Sequence, residues 1–161
     1  MIQIFAAGGT IDVNEIKNND EYMFAETYIP KMLKQGNCTI PIDVKTIFLK
    51  DSLYITDKDR DKIVTACKES PQERIIITHG TDTMVDMAKL LAKKVDKKTI
   101  VLVGSMIPFI QENSDALFNI GSAITSVQLL KNGVYIVMNG QIFSWDNAKK
   151  NIDLKIFEKN T

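Results

Sequence analysis

The chain has 161 residues, of which 45% are hydrophobic and 25% are charged, a composition typical of a globular protein rather than a disordered one. Its 20 basic and 20 acidic side chains give a net charge of zero, so there is no electrostatic reason to expect nucleic acid or an anionic membrane as a partner. No apolar run approaches the roughly 18 residues of a membrane span, and the amino terminus lacks the basic region of a signal peptide.

Short apolar strands alternate with amphipathic helices along the chain. The first part is predicted to form a buried strand at 2–7, a long polar loop at 8–26, a helix at 28–35, a strand at 42–49 and a helix that starts near Thr56. The second part is predicted to form a strand at 74–78, a glycine turn with a helix from Thr81, a strand at 99–104, a helix at 114–130, a strand at 133–138, a short strand in 140–145 and an irregular polar tail from Asn147. This alternation predicts an α/β fold, with a mostly parallel, doubly wound sheet, helices on both faces and a single domain over 1–161.

Small hydroxyl-bearing or acidic residues follow four of the predicted strands. They are GGT at 8–10, KDS at 50–52, THGTDT at 78–83 and GSMIP at 104–108. Ligands of such sheets bind beyond the carboxyl ends of the strands. We therefore expect a ligand site at this edge, with the polar loop at 8–26 as a mobile lid over it.

The first of these ends carries a threonine on a glycine turn. Gly8 and Gly9 allow positive φ angles and close backbone approach. Thr10 is then either an ordinary turn threonine or a nucleophile. A phosphate loop is not indicated, because neither G-x-G-x-x-G nor G-x-x-x-x-G-K-[ST] occurs here.

The segment THGTDT is more informative. Thr81 is predicted to cap a helix and Asp82 to lie in its first turn, where each would stabilise the helix end. Capping does not explain three threonines around an aspartate. His79 is expected to hold the turn rather than to act as a base, and as the only histidine it excludes a site that needs two.

A lysine pair near the end of the chain is the remaining candidate. Lys149 and Lys150 would normally be solvated, but an amine held at the site can have its pKa lowered enough to accept a proton. A hydroxyl nucleophile needs such a neighbour. With Asp82 for an ammonium group and Ser52 for a carboxylate, the residues predict a small amino-acid-like ligand, and they do not single out a reaction.

Six segments of the chain resemble the bacterial-type L-asparaginases. They are GGTID, KDSLYITDKDR, THGTDTM, VLVGSMIPF, SDALFNIGSAI and GVYIVMNGQIFSWDNAKKN, which are spread over almost the whole chain. The chain is most similar to short, single-domain members of that family, which match the amino-terminal domain of the two-domain enzymes. The resemblance implies hydrolysis of L-asparagine to L-aspartate and ammonia through a threonine nucleophile, with no metal or organic cofactor.

The resemblance also implies a role for individual residues. Thr10 matches the first catalytic threonine, Thr81 the second, Asp82 the aspartate after it, and Tyr22 the lid tyrosine. Ser52 matches the serine that grips the α-carboxylate of the substrate, and Gly9, Asp51 and Gly80 are expected to contact the substrate beside it. Lys150 is the preferred match for the catalytic lysine, and Lys149 remains open.

Three other expectations complete the hypothesis. Because the family builds its sites next to subunit contacts, we expect a homodimer or a dimer of dimers. Cys38 and Cys67 follow no metal or redox spacing, so we expect ordinary thiols in a cytoplasmic protein. The alternatives are a non-catalytic asparagine or aspartate sensor, an amidase subunit of a tRNA-dependent amidotransferase, and a nucleotide-binding domain, which the missing phosphate signature disfavours.

Overall fold

A six-stranded sheet forms the centre of the computed structural model, which describes residues 1–161. The ten strands of the chain are β1 (Ile2–Gly8), β2 (Glu15–Ile16), β3 (Tyr22–Met23), β4 (Ile42–Lys50), β5 (Arg74–Thr78), β6 (Thr99–Val103), β7 (Gly133–Met138), β8 (Gln141–Ser144), β9 (Lys149–Asn151) and β10 (Ile156–Glu158). The four helices are α1 (Ile29–Gln35), α2 (Asp57–Glu69), α3 (Met84–Lys94) and α4 (Ala116–Leu129). None of them has the length and apolarity needed to cross a membrane.

The sheet confirms the predicted fold class. Its order is β4-β1-β5-β6-β7-β8, in which only the last pairing, β7 with β8, is antiparallel. All residues of β1 and β6 are buried, because helices cover both faces of the sheet. The chain runs from β1 to β4 on one side and then to β5 on the other, so a crevice is expected where β1 and β5 end.

The helices form where the sequence pattern predicts them. The apolar stripe of Met84, Ala88 and Leu91 in α3, continued by Val95 just after the helix, is buried in the core. Helix α2 begins with a capping box, in which the Thr56 hydroxyl accepts from the Asp59 amide and the Asp59 carboxylate accepts from the Thr56 amide. These local signals agree with the global fold, and the predicted bounds differ from the observed ones by one or two residues for most elements.

The prediction of an irregular tail is wrong. Residues after Asn147 form an antiparallel hairpin of β9 and β10, which pairs Lys150 with Phe157. Phe157 is fully buried and packs on Phe143, with 6.5 Å between the ring centroids. Strands of three residues are too short to show the alternation of apolar and polar residues in the sequence. The hairpin is stabilised instead by burial of the Phe157 ring.

The loop at 8–26 is also more regular than predicted. A 3₁₀ turn at Thr10–Asp12 follows β1, and β2 pairs with β3 in a small hairpin. The side chain of Asn14 closes the base of this hairpin, since its oxygen accepts from the amides of Ala25 and Glu26 and its nitrogen donates to the Glu26 carbonyl. Residues 13–28 are called the lid below.

Candidate active site

Three strand ends meet because two glycines let their backbones touch. Gly9 has a φ of +84°, and a Cβ atom there would overlap the backbone of Gly80. A Cβ atom on Gly80 would lie 2.5 Å from Cβ of Ser52 and 2.6 Å from its Oγ. The loops after β1, β4 and β5 therefore close on one another only with glycine at both positions, which explains Gly9 of GGT and Gly80 of THGT.

A cavity of about 350 Å³ lies over this junction. Nine of the residues that line it are site residues predicted from the sequence: Gly9, Thr10, Tyr22, Asp51, Ser52, Gly80, Thr81, Asp82 and Lys150. Met106, Ile152 and Lys155 complete the lining. The structure thus brings every predicted site residue except Lys149 to one pocket.

The two lysines differ in position because neighbouring residues of a strand point to opposite sides. Nζ of Lys150 lies 2.8 Å from Oγ1 of Thr81 and 2.6 Å from Oδ1 of Asp82. Nζ of Lys149 instead lies 3.3 Å from Oε1 of Glu158 on β10. Lys150 is therefore the amine that faces the pocket. Its position is fixed by strand pairing with Phe157 in the hairpin.

The expected capping role of Thr81 is wrong. Helix α3 begins at Met84, and its first backbone bond runs from the Met87 amide to the Thr83 carbonyl. The His79 amide still donates to the Val103 carbonyl of β6 at 2.9 Å, and residues 81–83 form bends before the helix begins. Thr81 and Asp82 precede the helix, so their side chains are available to Lys150 and the pocket.

Several polar groups at the pocket have no partner within the protein. Ser52 is 2% exposed and its hydroxyl makes no hydrogen bond. The backbone N–H groups of Thr81 and Asp82 also donate to no protein group. Buried polar atoms are nearly always satisfied, so the buried Ser52 hydroxyl, with these amides beside it, favours an anionic or carbonyl ligand in the cavity. One carboxylate oxygen of Asp51 already accepts from the Leu53 amide at 2.9 Å.

Thr10 and Tyr22 reach the pocket from the two ends of one loop. Thr10 opens the 3₁₀ turn after β1, and Tyr22 lies on β3 of the lid. Both line the cavity, but their hydroxyl groups are not hydrogen-bonded to each other. The arrangement leaves the Thr10 hydroxyl free to contact a ligand in the cavity that Tyr22 also lines.

His79 supports the turn, as the sequence indicated. Its ring is fully buried, and Nδ1 lies 2.8 Å from the Gly80 carbonyl, to which it donates in the neutral form. Burial lowers the pKa of His79 from 6.5 to about 4, so the ring is neutral near pH 7. A neutral, enclosed imidazole that is bound to its own turn is a structural group.

The stability of the protein should report on this buried histidine. Because the folded pKa lies below the unfolded one, the unfolded chain takes up a proton first, and stability is lost as the pH falls from about 6.5 toward 4. From pH 7 to 4.5 the loss of unfolding free energy is about 2 kcal/mol for this group. Urea unfolding at the two pH values measures this loss in wild type and in His79→Asn. The loss should be smaller in His79→Asn by that amount. An equal acid loss in both proteins would contradict it.

Sequence reasoning missed three residues of the lining. Ile152 and Lys155 belong to the turn between β9 and β10, a hairpin that was not predicted. Met106 is held by Asp115, whose carboxylate accepts from the amides of Met106 and Ile107 at 2.9–3.0 Å. The available signal was the position of Met106 in the strand end GSMIP.

Comparison with known proteins decides the family. The family model of the asparaginase amino-terminal domain matches residues 1–155. The chain belongs to the asparaginase family. This confirms the resemblance inferred from the six segments.

Individual members of the asparaginase family agree with this. The glutaminase-asparaginase of Acinetobacter glutaminasificans is 30% identical over 166 residues, which cover 95% of this chain and 50% of that protein. The thermostable L-asparaginase from Thermococcus kodakarensis superimposes with a TM-score of 0.84 at 25% identity, over 98% of this chain and 50% of its own. The chain spans about half the length of these two relatives.

A shorter similarity points to another kind of protein. One subunit of the glutamyl-tRNA(Gln) amidotransferase of Methanococcus vannielii is 43% identical over 75 residues. That stretch covers 46% of this chain and 18% of the amidotransferase subunit. Family membership therefore supports a reaction class, amide hydrolysis. It does not single out one amide substrate.

Proposed function

We propose that this chain hydrolyses L-asparagine to L-aspartate and ammonia, with Thr10 as the nucleophile. The observation that carries the proposal is the cluster of Thr81, Asp82 and Lys150, which faces the same small pocket as Thr10. Family membership supplies the reaction class, amide hydrolysis.

Binding follows from the unpartnered groups. The α-carboxylate of asparagine would accept from the Ser52 hydroxyl, which is buried without a partner. Its α-ammonium would pair with Asp82, whose side chain is 45% exposed toward the open pocket and shares one oxygen with Lys150. A zwitterionic ligand offers an acceptor to the Ser52 hydroxyl and a cation to the Asp82 carboxylate at once. An uncharged amide would pair less well with both.

The chemistry then takes two steps. Oγ of Thr10 attacks the amide carbon and loses its proton, the C–N bond breaks, and the nitrogen takes a proton and leaves as ammonia. Water adds to the resulting ester, the bond to Thr10 breaks, and aspartate leaves. The free N–H groups of Thr81 and Asp82 are candidates to stabilise the oxyanion. Thr81, bound to Lys150, is placed to orient the water and to relay its proton.

Ammonia release from the purified protein tests this proposal. L-asparagine should give ammonia and L-aspartate in equal amounts, above the level without substrate. A parallel assay with L-glutamine shows whether the enzyme prefers the shorter or the longer amide side chain of the substrate. Binding of L-asparagine without any release would instead favour a sensor.

Asp82→Asn should mainly weaken binding. Loss of the charge leaves the α-ammonium of the ligand without its partner, and we expect the Kd for L-aspartate to rise by about tenfold to a hundredfold. Isothermal titration of L-aspartate measures this. Asp86→Asn, in the first turn of α3 and outside the pocket lining, is the matched control and should leave Kd within about twofold. An unchanged Kd in Asp82→Asn would contradict the assignment.

An amidase subunit of a tRNA-dependent amidotransferase is the second candidate. The 75-residue similarity to the Methanococcus vannielii amidotransferase favours it. Such a subunit would use the same pocket and threonine, and it would pass ammonia to a partner. Full hydrolytic turnover by the isolated chain would favour the asparaginase proposal.

We also propose that the chain forms a homodimer or a dimer of dimers. Exposed apolar side chains occur at the pocket and next to it in sequence: Ile152 of the lining is 74% exposed, and Leu53 and Tyr54, which follow Ser52, are 66% and 76% exposed. A partner surface that covers them would remove this apolar area from water. Light scattering at micromolar concentration should show a species heavier than 18.1 kDa, and a fully active monomer would contradict the proposal.

A further inference from the structure

Asp12 is a fully buried carboxylate that joins three segments around the pocket. Oδ1 accepts from the hydroxyl of Thr27 at 2.8 Å and from the amide of Tyr28 at 2.9 Å. Oδ2 accepts from the hydroxyl of Thr78 at 3.3 Å. Asp12 itself does not line the pocket.

Each of these segments leads to a residue of the proposed mechanism. Asp12 ends the 3₁₀ turn that Thr10 begins. Thr27 and Tyr28 end the lid, which carries Tyr22. Thr78 is the last residue of β5 and lies three positions before Thr81. One carboxylate therefore connects the nucleophile turn, the lid and the loop that contacts Lys150.

The chemistry of these contacts favours a specific tie rather than general packing. All three partners donate, and no charged side chain forms an ion pair with Asp12. Burial raises the pKa of Asp12, and the three hydrogen bonds partly oppose this rise. A buried carboxylate depends on each donor, so loss of one weakens the whole junction.

A second side-chain tie lies at the base of the lid. Asn14 bonds the amides of Ala25 and Glu26 and so closes the base of the lid from the other side. The tip of the lid, at 17–21, is exposed to solvent. The lid is thus a hairpin whose base is held by side-chain hydrogen bonds and whose tip is exposed.

We propose that Asp12 is a positioning residue that couples the base of the lid to the turn bearing Thr10, so that lid closure and alignment of the nucleophile occur together. The inference rests on the proposed function for its kinetic part. Its structural part, the tie between Asp12 and the base of the lid, does not depend on the reaction.

The test uses Thr27, because Asp12→Ala removes all three bonds at once and can prevent folding. Thr27→Val removes the hydroxyl at nearly constant shape, and Thr27→Ser keeps it. Thr99→Val is the matched control, since the Thr99 hydroxyl also bonds a side chain, Asn132 at 3.3 Å, but at the opposite end of the sheet. Amide hydrogen exchange of 13–28 and the kcat and KM for L-asparagine are measured in all four proteins.

In Thr27→Val, exchange in the lid should be faster by about tenfold, and kcat should fall by about tenfold with a smaller change in KM. Thr27→Ser should stay near wild type in both, and Thr99→Val should change thermal stability only. Equal behaviour of Thr27→Val and Thr99→Val in exchange and kcat would overturn the inference. If wild type releases no ammonia, the proposed function fails, and the exchange comparison alone still confirms or refutes the tie.

Discussion

Replacement of Thr10 by alanine is expected to reduce ammonia release from L-asparagine by at least about a thousandfold. Thr10 is the hydroxyl that faces the pocket from a glycine-hinged turn and has no competing hydrogen bond. Without it, no group on this turn can form the ester with the substrate. Steady-state ammonia assays at saturating L-asparagine measure the effect directly.

Two control variants distinguish loss of the Thr10 hydroxyl from a general loss of structure. Thr46→Ala removes the same atoms from an exposed position on β4 and should keep wild-type activity. Thr10→Ser keeps a hydroxyl and should retain part of the activity. Full activity in Thr10→Ala would exclude this residue as the nucleophile.

Replacement of Lys150 by methionine should lower kcat by about a hundredfold or more, the size typical of a lost acid–base group. The change leaves Thr81 without its 2.8 Å hydrogen bond and Asp82 without its cation. Methionine keeps much of the length of the lysine stem, so packing in the hairpin of β9 and β10 changes little.

Lys149→Met is the matched control for this prediction. Its partner Glu158 lies on the surface, where a single ion pair contributes about 0–1 kcal/mol. Activity should therefore stay within about twofold of wild type. The reverse result, with Lys149→Met inactive and Lys150→Met active, would show that the proposed roles of the two lysines are exchanged.

The strand ends could be predicted from the sequence because two independent patterns agreed there. Apolar runs located β1 and β5, and small polar residues followed each run directly. In a parallel sheet such ends share one edge, so Thr10, Ser52 and Thr81 were expected together. The structure places all of them at one cavity.

The parts that failed depend on contacts that sequence spacing does not contain. THGTDT offered Thr81 as the helix start, but the His79 amide bonds to Val103 of β6, residues 81–83 form bends, and the helix begins only at Met84. The hairpin of β9 and β10 depends on burial of Phe157 against Phe143. Because that hairpin was missed, the side of the strand on which each lysine lies could not be predicted.

Asp12 could not be identified as a functional candidate from the sequence for the same reason. Its partners, Thr27, Tyr28 and Thr78, are 15 to 66 positions away in sequence. Only the three-dimensional arrangement of the lid against β5 shows that they share one carboxylate.

A covalent ester between Thr10 and the substrate is the step on which the proposed mechanism depends, and mass spectrometry of a trapped adduct tests it most directly. Purified wild-type protein is treated with a reactive asparagine analogue and digested, and the labelled residue is located by fragmentation. We expect one label per chain, on Thr10. L-aspartate should slow the labelling by competition, and Thr10→Ala should abolish it. A label on Thr81, or an active enzyme in which no residue is labelled, would contradict the mechanism.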